Sequence, residues 1–211
     1  MADFFLNQLI FSQPIVTWLF FIASYAILGG GIKYIDDAFD EKTFSKISAL
    51  LFMPLLAVFG AVVMTLSAES ATILGAIVVA VFLKGKIDTI AFKIGLISLI
   101  AILFFMGFFN FLWIPLIIIA IAGVLDEVGN DYVDKHLNVR KPIRLFFEFR
   151  FVMKLAVLYF AAVGTFAWFY FFAFIAFDIA YALVMEYSMS LAHKKKFAYY
   201  KNHNGFLDKA V

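Results

Sequence analysis

The chain has 211 residues, 65% of them hydrophobic, 19% aromatic and only 15% charged, with a formal net charge of +2 and a mean hydropathy of +0.99. That leaves too little polar material to cover a water-facing surface, which excludes a soluble domain and predicts a polytopic, all-α membrane protein. The absence of cysteine removes disulfides, thiolate nucleophiles, Cys-ligated zinc and iron–sulfur clusters together.

The opening Met1-Ala2-Asp3 offers no positive n-region, which speaks against a secretory signal peptide. A membrane span needs roughly 20 apolar residues, fewer where it is short or pinched. The first such run is 14–35, opened by Pro14, whose missing N–H costs nothing in a first helical turn. The second is 47–66 and the third, short one is 71–83, stopping at Lys84-Gly85-Lys86. Residues 90–125 are apolar almost without relief, and at ~1.5 Å per residue they are too long for one span. A break near Gly107-Phe108-Phe109-Asn110, with Pro115 opening the next helix, divides them in two. Residues 142–187 divide likewise near Gly164-Thr165, for about seven spans in all.

Charge tests this threading. With seven spans, the segments 33–46, 84–93, 126–154 and 186–211 fall on one side and hold all 17 Lys and Arg residues. By the positive-inside rule that side is cytoplasmic, which predicts an N-out, C-in protein of the cell membrane. The tail over 191–211, with His193-Lys194-Lys195-Lys196 and Tyr199-Tyr200-Lys201, suits a basic, aromatic strip on anionic inner-leaflet lipid. It would serve equally as a topology determinant alone.

Two acidic clusters lie where apolar runs give out: Asp36-Asp37-Ala38-Phe39-Asp40, and 94 residues later Asn130-Asp131-Tyr132-Val133-Asp134. In the same register Ala26-Ile27-Leu28-Gly29 lies over Ala120-Ile121-Ala122-Gly123. Both copies end spans running toward the cytoplasm, which predicts parallel repeats in a 3+1+3 arrangement. The expected organisation is one transmembrane domain, with halves of about 14–88 and 111–190 and the tail beyond.

On a continuing helix Asp36 and Asp40, or Asp37 and Asp40, share a face, and Asn130, Asp131 and Asp134 repeat the pattern, with Glu127 one turn before Asp131. Carboxylates so spaced suit Mg²⁺, which takes one or two of them and completes its octahedron with phosphate oxygens and water. A helix C-terminus disfavours added negative charge, so a cation or the nearby Lys33, Lys42, Lys135, Arg140 and Lys141 must compensate it. The alternative is a set of solvated loop residues paired to those bases. Asp178 lies inside the last span and is a functional candidate on cost alone, with a protonated, hydrogen-bonded carboxyl as the alternative. Arg150 and Lys154, on one face early in the sixth span beside Glu148, would hold phosphate or snorkel to headgroups. No nucleotide-binding loop, HExxH motif or retinal lysine is present, and nothing suggests a nucleic-acid partner.

Gly129-Asn130-Asp131-Tyr132-Val133-Asp134, followed by Asn138 and Lys141-Pro142, resembles the first aspartate-rich motif of the UbiA-type intramembrane prenyltransferases, N-D-x-x-D-x-x-x-D with a basic-Pro segment after it. Asp36-Asp37-x-x-Asp40 with Lys42-Thr43-Phe44 loosely resembles the second. The likeness covers about thirty residues; Asn138 replaces the last acid and the motif order is reversed. It implies a Mg²⁺-dependent transferase in which Asn130, Asp131 and Asp134 form one metal set and Asp36, Asp37 and Asp40 the other. A prenyl diphosphate or related lipid phosphate would then be the substrate, with Lys141, Arg150 and Lys154 on its oxygens and Asp178, Arg150 and Lys154 as the catalytic candidates. Against it stand a seven-helix transporter or channel using Asp178 as its intramembrane site, and a non-catalytic membrane protein.

Overall fold

Every regular element that the computed structural model describes, over residues 14–108, 110–136 and 140–207, is an α-helix. They are α1 (Pro14–Phe39), α2 (Lys46–Thr65), α3 (Ala68–Leu83), α4 (Ile90–Phe105), α5 (Trp113–Lys135), α6 (Lys141–Glu148), α7 (Phe151–Ala162) and α8 (Trp168–Leu207). In hydrocarbon a helix satisfies every backbone polar group within its own segment, and apolar runs of this length have no other open-chain solution. Four helices are long and apolar enough to cross a membrane: α1, α2, Trp113–Val133 of α5 and Trp168–Lys194 of α8. The apolar helices α3, α4 and α7 are shorter.

Local chemistry sets the boundaries. Ser45, Ser67 and Thr89 cap α2, α3 and α4, their hydroxyls accepting from the backbone N–H of Ser48, Ser70 and Phe92. The long apolar stretch breaks after Phe105, where Gly107 takes φ +60°, and the later one after Ala162, where Gly164 takes φ +77°. A residue with a Cβ is disfavoured in that left-handed turn, so glycine is what lets the chain reverse there.

The apolar side chains divide into a packed interior and an outward belt. Inside, α8 lies along α1, α2 packs on α4, α3 on α5, and α7 on α5. Phe21 and Tyr25 of α1 are fully buried, and Phe21 meets Phe169 and Tyr170 of α8 at centroid distances of 5.4 and 5.0 Å. Outside, Ile15, Leu51, Leu55, Ile97, Phe105 and Ile114 are among many large apolar residues left exposed, Phe105 by 93%. A belt of that extent is a liability in water and a match for lipid tails.

At one end of the bundle the C-terminal ends of α1, α3 and α5 meet the start of α7 and the middle of α8. The ion pairs Lys33–Asp36, Lys33–Asp37, Lys84–Asp131, Lys86–Glu127, Arg150–Glu127 and Lys154–Asp178 all lie there. Buried hydroxyls fasten the same region: Thr43 and Ser188 Oγ atoms are 2.7 Å apart, tying the α1–α2 loop to α8.

Candidate functional site

A cavity of about 420 Å³ lies among α1, α2, α3, α4 and α8 and reaches this charged end. Its depth is apolar, lined by Leu28, Leu56, Met64, Leu74, Leu96 and Leu99, and its mouth carries Asp36, Asp40, Lys86, Asp88, Glu127, Arg150 and Tyr181. An apolar shaft below a ring of charge fits a molecule with a hydrocarbon body and an ionic head.

Helical spacing sorts the first acidic cluster. α1 continues through Phe39, so Asp36 and Asp40, four apart, both line the mouth. Asp37 points elsewhere: it is 2% exposed, with Oδ1 2.9 Å from Lys33 Nζ and Oδ2 without a hydrogen-bond partner among the described residues. Lys33 also reaches Asp36 Oδ2 at 2.8 Å, so one ammonium serves two carboxylates. Burial and the neighbouring Asp36 and Asp88 push the Asp40 carboxyl up from its ordinary value.

The second cluster is placed differently. Asp131 is half-exposed and pairs with Lys84 at 2.8 Å, and neither it nor Asn130 is among the cavity-lining residues. The Asp134 side chain and Asn138 lie outside what the structure describes. The α5 carboxylate at the cavity is Glu127, 6% exposed and flanked by Lys86 on Oε2 and Arg150, whose Nη2 is 3.2 Å from Oε1. Among the described residues no three acidic or histidine side chains converge as a ready-made cation cage. Of the first cluster, Asp36 and Asp40 are the two carboxylates that line the cavity, and Asp36 is already paired with Lys33.

The predicted basic residues also part company. Arg150 reaches the mouth from the α6–α7 junction, where its backbone is left-handed (φ +50°) and its guanidinium lies 4.8 Å from the Tyr181 ring centroid. Lys154 turns to α8, with Nζ 2.7 Å from Asp178 Oδ2 and a hydrogen bond to the Phe149 carbonyl. Lys141 is exposed at the start of α6 and does not line the cavity. Asp178 lines a separate void of about 20 Å³ together with Glu127 and Arg150.

Three residues here were not singled out by local sequence. Lys86 and Asp88, in the short α3–α4 loop, sit in no acidic run and reach the mouth only through the fold. Asp126, 1% exposed, accepts from the backbone N–H of Val152 (3.0 Å) and Met153 (2.7 Å) and so caps α7 from α5. The i, i+4 relation of Asp36 and Asp40 was legible in advance; a cap supplied from another helix has no spacing to read. No family model, curated protein or solved structure matches this chain.

Proposed function

We propose that the chain is an integral membrane protein that takes a prenyl diphosphate or related lipid phosphate into this cavity, and acts on it as a Mg²⁺-dependent transferase. The single observation that carries this is the cavity itself, an apolar shaft whose charged lining, among the described residues, gathers at the charged end of the bundle. The hydrocarbon would lie between α1, α2, α3 and α4, where burying it is favourable by roughly 25 cal/mol per Å². Lys86 and Arg150 would receive the phosphate oxygens, Arg150 by paired N–H donors. Asp36 and Asp40 would hold the Mg²⁺, which supplies neutralisation of the leaving diphosphate.

The four long helices and the three shorter apolar ones would together make seven spans, with the charged end cytoplasmic by the positive-inside rule. The basic tail would rest on anionic lipid there. A 3+1+3 repeat is supported by reciprocal packing: α1 packs on α8 as α5 packs on α3. The aligned glycines mark the two crossings. A Cβ on Gly29 would meet the Phe177 backbone of α8, and one on Gly123 would meet Ala80 of α3.

The test is binding of geranylgeranyl diphosphate by the purified protein and its turnover to released diphosphate with a membrane-lipid extract supplied as acceptor, with Mg²⁺ and with EDTA. Mg²⁺-dependent turnover that Asp36→Asn or Asp40→Asn abolishes is expected; its absence with wild type removes the transferase. The Asp178–Lys154 pair within the helices favours a second reading, a carrier for a small solute or cation. A carrier loses transport on Asp178→Asn and tolerates Asp36→Asn, the reverse of the transferase.

A further inference from the structure

Glu127 is a nearly buried carboxylate standing between the two cations at the cavity mouth, with Lys86 on one oxygen and Arg150 on the other. The trio carries a net positive charge, and Lys86 and Arg150, with side chains 46% and 30% exposed, both line the cavity. Arg150 is held for this position at a cost. Its left-handed backbone is unfavourable for a residue with a Cβ, and its guanidinium is set on the Tyr181 ring. Strain of this kind at a cavity mouth persists only where the surroundings enforce it.

We propose that Glu127 is a resident stand-in for a phosphate: it occupies Lys86 and Arg150 while the cavity lacks its ligand, and yields them when an anionic headgroup enters. Because α5 fixes Glu127, it cannot follow the cations, and an entering phosphate competes with it for the same donors. Glu127 therefore sets the threshold for headgroup binding. A neutral lipid cannot displace the carboxylate, whereas a phosphate, with more oxygens and more charge, can. The proposal rests on the lipid-phosphate assignment above.

The experiment is direct binding of geranylgeranyl phosphate and of geranylgeraniol to the purified full-length chain, comparing wild type, Glu127→Gln and Glu127→Asp, with monodispersity and thermal stability checked for each. Removing or shortening the competing carboxylate should tighten binding of the phosphate by about tenfold or more, about 1.4 kcal/mol, and leave the alcohol unchanged. In the wild type, geranylgeranyl phosphate should alter the reactivity of the Lys86 amine toward acylation, measured by mass spectrometry, while geranylgeraniol should not. If wild type binds the phosphate but both Glu127 variants bind it equally or less well, Glu127 is a ligand or a structural group and the stand-in role is overturned. If no form binds either prenyl compound, the lipid-phosphate assignment itself falls, and this proposal with it.

Discussion

Gly29 of α1 lies so close to Phe177 of α8 that a Cβ added to it would stand 2.2 Å from the Phe177 carbonyl oxygen. Backbone, rather than a yielding side chain, occupies the space, so Gly29→Ala must push the two helices apart. Overpacking of this kind costs about 1–3 kcal/mol. At Gly30 the nearest atom to an added Cβ is Val184 Cγ2 at 3.4 Å, so Gly30→Ala should be tolerated. Thermal unfolding in detergent, followed by loss of the monodisperse peak, separates the two; equal melting temperatures would contradict the crossing.

Asp126 should matter for folding more than for chemistry. α7 has no side-chain cap of its own at Arg150, and Asp126 supplies two acceptors to its first turn. Asp126→Ala leaves those buried N–H groups unsatisfied at about 1–3 kcal/mol. Asp126→Asn, which keeps one acceptor oxygen, should lose less. The same melting assay reads the order, and an Asn variant as unstable as the Ala variant would show that packing volume is not the issue and charge is.

Lys33→Met should be among the most damaging substitutions outside the apolar core. It leaves Asp37, 2% exposed, without its counterion. Breaking one side of such a buried pair costs about 3–5 kcal/mol. The double change Lys33→Met with Asp37→Asn removes the buried unpaired carboxylate and should recover part of the loss, the more exposed Asp36 still lacking the ammonium. Non-additivity of the three variants is the measurement, and simple additivity would mean that the pair is not coupled.

Asp40 links stability to pH. Its carboxyl is pushed up in the folded protein, so the folded state holds the proton more tightly than the unfolded chain does. Its favourable contribution is present below the unfolded value and is lost as pH rises through the raised folded value. At neutral pH the ionised Asp40 is therefore a net repulsive group beside Asp36 and Asp88. Asp40→Asn should raise the melting temperature slightly near pH 7, with the difference closing as pH falls below the ordinary carboxylate range and Asp40 itself takes up its proton. A variant less stable than wild type near pH 7 would reverse the sign and point to a stabilising partner for the carboxylate.

Residue order alone determined that this chain is helical and built for lipid, because composition and run length depend on no partner. It also determined where the chain must break, since Gly107 and Gly164 announce their turns locally. The face shared by Asp36 and Asp40 follows from helical spacing in the same way. Which charges meet which was decided by tertiary structure. Asp37 was separated from its neighbours by a rotation of about 100° per residue about α1, and then buried by what packs there. Asp131 went to Lys84, and Glu127 to Lys86 and Arg150, because the end of α3 and the start of α7 are packed against α5. Those pairings join residues more than twenty positions apart, and no local periodicity encodes a distance closed by packing.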